Sequence, residues 1–292
     1  MKAPQIVLII VLVVFFTGGF AGFWLYDLVF APAVQIPEGN RYLRLPSDAT
    51  YSEVVQRLHR EDYIEDTTAF KRVANWMNYP SHIYTGRYRL TDGMSNRALV
   101  KKLRSGQKAP VNLTLSSFRN LQRLADYVSK RLEADSARIM VHMNDPAVLE
   151  EYGLKPETRL CLFIPNTYQF GWDTRARAFI EQMHKHYENF WTVQRKAKAS
   201  EQELQPHEAM TLASIIQRES NRIQEWDTIA GVYLNRLNRA NMPLQADPTL
   251  QYILQQRGQK NVNRIYRRHF KLKSPYNTYQ NRGLPPGPIV VT

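Results

Sequence analysis

Glu219, in the segment LASIIQRES, is the residue best placed to do chemistry. Leu212, Ile215, Ile216 and Glu219 recur at helical spacings of three and four, which puts the carboxylate on the stripe expected to face the core. Burial beside isoleucines would disfavour its charged form and raise its pKa, which is what a general acid needs near neutrality. The competing reading is an ion pair with Arg222, three residues on, or with nearby Arg218, and the helix alone does not choose.

The loops around the helix IAGVYLNRL bear on that choice. NRLNRANMPLQADPT, SPYNTY and GLPPGPI are rich in Pro, Asn and Tyr, a composition poor for a core and good for a cleft wall. Asn235, Gln245, Thr249, Asn277 and Thr278 carry side chains that can hydrogen-bond hydroxyl and acetamido groups. Tyr252, Tyr276 and Tyr279 offer flat faces for rings to stack on. Each alone is more often structural, but together they predict a polar cleft for sugar. Asp247 is the obvious second carboxylate, although capping a helix that begins at Pro248 is the preferred explanation. Beyond Asp247 there is no Asp or Glu, whereas Arg257, Lys260, Arg264, Arg267, Arg268, Lys271, Lys273 and Arg282 follow, a run suited to an anionic polymer.

The elements that must position these groups belong to a chain of 292 residues, 43% hydrophobic, enough for one large or two ordinary domains. A formal net charge of +13 points to an anionic partner: nucleic acid, acidic lipid or an acidic polymer. Residues 6–26 are an uncharged apolar run of 21, which at ~1.5 Å per residue spans a hydrocarbon layer of ~30 Å. The run is too long for a secretory signal, and residues 27–32 offer no convincing cleavage site, so it is expected to be an uncleaved anchor. Lys2 precedes it and the next Lys or Arg is Arg41, which favours the amino terminus in the cytoplasm and the bulk outside. Nucleic acid is thereby excluded as the expected partner, and acidic envelope polymers remain. Cys161 is the only cysteine, so no intrachain disulfide forms, and its place in LCLFIP reads as a small buried hydrophobe.

From residue 33 a tether runs into a strand at RYLRL. Thr50 and Glu53 have capping-box spacing ahead of Val54, Val55 and Leu58; Asp66 or Thr67 can cap a second helix, which Pro80 ends. GRYRL reads as a strand, Gly93 as a turn, and Ser95 as the cap of a helix that stops at Gly106. The result is a small α+β module with no catalytic cluster, suited to binding or spacing. Further on, VNLTL predicts a strand, residues 118–133 a helix, LFIPNTYQF a strand with an internal Pro/Asn turn, and residues 176–198 one long helix with Phe179, Met183, Tyr187 and Phe190 in the core.

The blocks LASIIQRES, IAGVYLNRL, MPLQADPTLQY, SPYNTY and GLPPGPI resemble the endolytic murein transglycosylase family, also called YceG-like. FIPNTYQF resembles the family's aromatic-Pro-Asp-Thr-Tyr strand, with Asn166 in place of the usual Asp and Cys161 near its usual Gly. YTGRYRLTDGMSNRALVKKLRSG resembles the end of the family's LysM-like module. The resemblance implies an α+β fold in three parts: a cytoplasmic start and transmembrane anchor over 1–32, a LysM-like module over 33–108 and a catalytic domain over 109–292. Family chains usually run beyond the position of Thr292, so a carboxyl-terminal truncation is expected. The implied catalytic residue is Glu219. The implied reaction cleaves the β-1,4 bond between N-acetylmuramic acid and N-acetylglucosamine in peptidoglycan and leaves a 1,6-anhydro end. No metal or cofactor is implied; the cytoplasmic membrane and penicillin-binding synthases are implied partners. Two alternatives stay open, a hydrolase that pairs Glu219 with Asp247 and a non-catalytic wall-binding scaffold.

Overall fold

The structure, a computed structural model, describes residues 3–36, 41–239, 242–259, 262 and 264–291, with the backbone alone for 3–11 and 239. Lys2, residues 37–40 of the tether, residues 240–241 of the first loop and Lys260 of the basic run lie outside the described residues. The fold is mixed α and β in two compact units: Met1–Val111 with Gly171–Asp173, and Asn112–Phe170 with Thr174–Thr292.

In the first unit, α1 (Ala3–Phe30) is 28 residues long, and its Leu12–Phe30 stretch is, among the described residues, the one helix long and apolar enough to cross a membrane. Phe15, Phe16, Phe20 and Phe23 are exposed along it, whereas Leu28 and Val29 rest on the core of the module. β1 (Tyr42–Leu45) leads to α2 (Tyr51–Arg60), whose start Thr50 fixes by accepting from the Glu53 N–H at 3.3 Å. α3 (Thr67–Trp76) is capped by Asp66, which accepts from Thr68 and Ala69. β2 (Gly86–Arg89) pairs antiparallel with β1, Leu43 opposite Tyr88 and Leu45 opposite Gly86. α4 (Asn96–Arg104) begins at its Ser95 cap. Leu43, Leu45, Leu58, Phe70, Tyr88 and Leu99 fill the space between sheet and helices.

β3 (Val111–Leu115), which starts at the boundary between the units, leads into α5 (Leu121–Ser129) of the second. The helix is shorter than residues 118–133 because Asn120 accepts from the Arg123 N–H at 2.9 Å and starts it there. α6 (Ser136–His142) and α7 (Pro146–Glu151) follow, each opened by an aspartate, and the sequence pattern had not announced them. LCL of LCLFIP lies in a 3-10 turn, Arg159–Leu162, so the strand β4 is confined to Asn166–Phe170, where it joins the sheet with β3. Cys161 is wholly buried and burial pushes its thiol up to about 12, so it is the inert hydrophobe expected.

The long helix expected over 176–198 is two, α8 (Ala176–Phe190) and α9 (Val193–Glu201). Thr192 breaks it, being extended and capping α9 through the Arg195 N–H. Phe179 and Met183 are buried as the stripe predicts, while Tyr187 and Phe190 are half-buried. Then come α10 (Pro206–Glu219), α11 (Trp226–Leu234), which runs into a π-helical turn at Asn235–Arg239, and α12 (Asp247–Gln256). Leu212, Ile215, Tyr233, Leu244, Ala246 and Ile289 form the cluster that locks these helices to the carboxyl-terminal segment. The same segment is pinned by hydrogen bonds: Ile289 N–H donates to the buried Ser214 hydroxyl at 3.0 Å, and Val291 N–H to the Phe118 carbonyl at 2.9 Å.

Gly287 lies where GLPPGPI passes the backbone of residue 157, and a methyl group there would overlap the Glu157 carbonyl oxygen. Backbone cannot yield as a flexible side chain does, so Gly287→Ala should cost about 1–3 kcal/mol. Thermal melting followed by circular dichroism should fall by several degrees, at ~2–4 °C per kcal/mol for a unit of this size.

Candidate active site

Glu219 does not sit in the core. α10 ends on it, the chain turns extended at Ser220, and the carboxylate is exposed. Helical spacing predicted a direction correctly, but the helix stops one turn after Ile215 and Ile216 bury, so the last member of the stripe emerges at the surface. Among the described residues no ion pair joins Glu219 to Arg218 or Arg222, and Arg222 Nη1 lies 3.2 Å from Glu225 Oε1 instead. Glu225 also accepts from the Ser220 hydroxyl at 2.6 Å, and Trp226 Nε1 donates to the Ser220 carbonyl at 2.9 Å. The turn that carries the acid is thus stapled by its own neighbours.

What orients Glu219 comes from α11. The Tyr233 hydroxyl donates to Glu219 Oε2 at 3.2 Å. Tyr233 is itself buried in the α10–α11 cluster, so its ring is held by packing and its hydroxyl points out of that cluster at the carboxylate. Sequence reasoning passed over this residue. The available signal was that Tyr233 shares a helical stripe with Trp226, Ile229 and Ala230, and a phenol on an inward stripe needs a polar partner.

Asp247 does not cap α12. That helix starts with Asp247 inside it and Ala246 at the cap position, without a side-chain cap bond. The freed carboxylate accepts from the Tyr279 hydroxyl at 2.6 Å, and the Tyr279 ring stacks on Phe270 at 4.4 Å. The site therefore holds two exposed carboxylates, each braced by a tyrosine. Burial pushes both phenols up, and the carboxylates push them further: Glu219 acts on Tyr233, while Asp247 and then Glu219 act on Tyr279. Both hydroxyls are therefore neutral donors through any physiological pH. Arg236, half-buried and hydrogen-bonded to the Leu244 carbonyl, opposes the rise at both tyrosines, so it stands within reach of the same cluster.

The polar residues expected to meet sugar divide into two groups. Thr249, Asn277 and Thr278 are buried and bonded to protein, which corrects the expectation that they present free donors. Thr278 Oγ1 accepts from the Ala246 N–H at 3.0 Å and lies 2.9 Å from Thr249 Oγ1, which donates to the Ala246 carbonyl at 2.7 Å. Asn277 donates to the Phe270 and Leu272 carbonyls and accepts from the Tyr279 N–H. These three hold the loops that present Asp247 and Tyr279. Asn235 and Gln245 are exposed, the latter at a left-handed φ of 52°, a conformation its Thr278-bound N–H helps to hold. Tyr252 and Tyr276 pack on each other, centroids 4.8 Å apart, and wall a groove of about 260 Å³ with Arg119, Asn120, Arg159 and Gln256.

The YceG-like family model matches residues 43–292 of the chain. An endolytic murein transglycosylase of Bacillus subtilis (strain 168) is 27% identical over 268 residues, covering 85% of this chain and 71% of the relative. An endolytic murein transglycosylase of Streptococcus pneumoniae serotype 2 is 25% identical over 323 residues, covering 99% of this chain and 57% of its own length. A crystal structure of a yceG-like protein from Listeria monocytogenes superposes with a TM-score of 0.52 at 28% identity, covering 85% of both chains.

Replacing the Thr278 hydroxyl with a methyl group leaves the Ala246 N–H buried without an acceptor. Thr278→Val should therefore destabilise the second unit by about 1–3 kcal/mol. Urea denaturation should show the midpoint moving down with the slope unchanged.

Proposed function

Because this chain belongs to the YceG-like family, we propose that it is an endolytic murein transglycosylase, the activity for which its curated relatives are named. It cleaves the N-acetylmuramic acid to N-acetylglucosamine β-1,4 bond and leaves a 1,6-anhydro end. Glu219, protonated, gives its proton to the departing glycosidic oxygen. The C6 hydroxyl of the muramic acid attacks its own anomeric carbon, and the Glu219 carboxylate takes the hydroxyl proton. One carboxyl group can serve both steps because the nucleophile is part of the substrate, whereas ordinary glycosidases need two. The observation that carries this reading is the Tyr233 to Glu219 hydrogen bond: a rigid neutral donor holds Oε2 and leaves the exposed carboxyl group aimed outward.

α1 anchors the protein in the cytoplasmic membrane, amino terminus inside, with the catalytic domain outside it. The small unit serves as a LysM-like wall-binding or spacing module, and penicillin-binding synthases are candidate partners. A second reading has its own support, since Asp247 and Glu219 both act on the Tyr279 phenol. Asp247 then serves as the partner carboxylate of a hydrolase.

The test uses the full-length chain in detergent micelles, intact murein and mass spectrometry of the products. Anhydro-muropeptides from wild type and Asp247→Asn, absent with Glu219→Gln, are expected. Tyr233→Phe should retain the anhydro product at a kcat reduced about tenfold, the cost of ~1.4 kcal/mol of lost orientation. Reducing ends that depend on Asp247 would establish the hydrolase, and an inert wild type would favour a scaffold.

A further inference from the structure

The start of α5 carries a cationic groove that the cleavage chemistry does not use. Its first part is the 260 Å³ groove walled by Tyr252 and Tyr276; about 340 Å³ more lies against Arg119, Arg123, Tyr252 and Gln256. A broader trough of about 780 Å³ follows, lined by Ser117, Arg119, Arg123, Tyr127, Lys130 and Arg131. Arg119 lines all three depressions and Arg123 the last two, so they adjoin as one surface. Five cations line it, Arg119, Arg123, Lys130, Arg131 and Arg159, against two carboxylates, Asp126 and Glu157. Asp126 is engaged by the Gln122 amide at 2.8 Å, and among the described residues no ion pair joins any of the five cations to a carboxylate.

Two of the cations are positioned in advance. Arg159 is half-buried and hydrogen-bonded to Asn144, and the Arg131 guanidinium lies 3.7 Å over the Tyr127 ring while donating to its carbonyl. Like charges gathered without counter-charges repel one another, and an anionic ligand removes that cost. Guanidinium groups beside flat rings match carboxylates, which they bind through two parallel hydrogen bonds. The groove also connects to the acid. Gln217, two residues before Glu219, donates to Ser117 of the trough at 2.8 Å, and Tyr252 and Tyr276 pack in the same apolar cluster as Tyr233.

In peptide-bearing murein the lactyl carboxyl of each muramic acid is taken up in an amide bond, so the sugars carry no net charge and the free carboxylates sit on the peptide arms. We propose that the Arg119–Arg123–Arg159 groove is the subsite for those arms, so that the protein selects peptide-bearing strands over bare glycan. This rests on the transglycosylase reading above.

The test compares peptide-bearing murein strands with strands stripped of peptide by an amidase, the lactyl carboxylates so exposed being capped as methyl amides, using the full-length chain in detergent. Wild type should show a KM about tenfold lower on peptide-bearing strands, ~1.4 kcal/mol of differential binding. The double variant Arg119→Ala/Arg123→Ala should raise that KM to the bare-strand value with kcat and bare-strand cleavage unchanged, and the Lys/Lys replacement should recover part of it. Equal treatment of both strands by wild type, or equal loss on both in the double variant, overturns the proposal. So does arginine-dependent binding of a wall phosphate polymer with no peptide dependence. Co-sedimentation of wild type and double variant with both forms of murein reads binding without chemistry, so a chain that cuts neither refutes the reaction while still deciding the groove.

Discussion

The second unit depends on how two stretches of chain, QADPT and YNTY, are tied at one buried point. Ala246 is wholly inside, and its N–H and carbonyl must find partners away from water. Thr278 and Thr249 supply them, bonded to each other as well, and the Gln245 N–H adds a bond to the Thr278 carbonyl. A satisfied polar knot of this kind holds one geometry, because any slip strands a buried donor or acceptor. Everything at the Asp247 side of the site follows from it: α12 starts where it does, and the tyrosine one residue after Thr278 meets the carboxylate two residues before Thr249.

The Glu219 side is built on a different economy. Here the acid is exposed, and order comes from rigid neighbours, with Tyr233 fixed by apolar packing and the turn after the helix stapled by Glu225 and Trp226. The carboxyl-terminal segment closes the arrangement through the Ser214 hydroxyl, which lies on the helix that delivers the acid. A change far along the chain, at residues 287–291, therefore reaches the position of Glu219 through a single helix. Charge is distributed in keeping with this layout. Neutral phenols face the two carboxylates, while arginines gather at the start of α5.

Much of the local structure was legible because it is set by local rules. Thr50, Asp66 and Ser95 announce three helix starts, alternation marks the strands at RYLRL and VNLTL, and the long apolar run is one helix. Errors came where one capping residue outweighed a longer pattern. Thr192 divides α8 from α9 although apolar periodicity continues past it, and Asn120 delays α5. The residues 134–158 carry two helices of seven and six residues, under two turns each and too short to display a period.

The sequence by itself determined that Glu219 lies on the apolar stripe of a helix, that Asn, Thr and Tyr follow in loops, and that the net charge is strongly positive. Composition and spacing suffice for such conclusions. Only the tertiary structure decided which side chains face solvent, because burial depends on where a helix ends and on what packs beside it. It moved Glu219 outward and turned Asn277, Thr249 and Thr278 from presumed ligands into supports. It also brought Tyr233, fourteen residues from Glu219, and Tyr279, thirty-two from Asp247, to the two carboxylates. Hydrogen bonds across such separations exist only once the chain has closed on itself, and no period along the sequence encodes them.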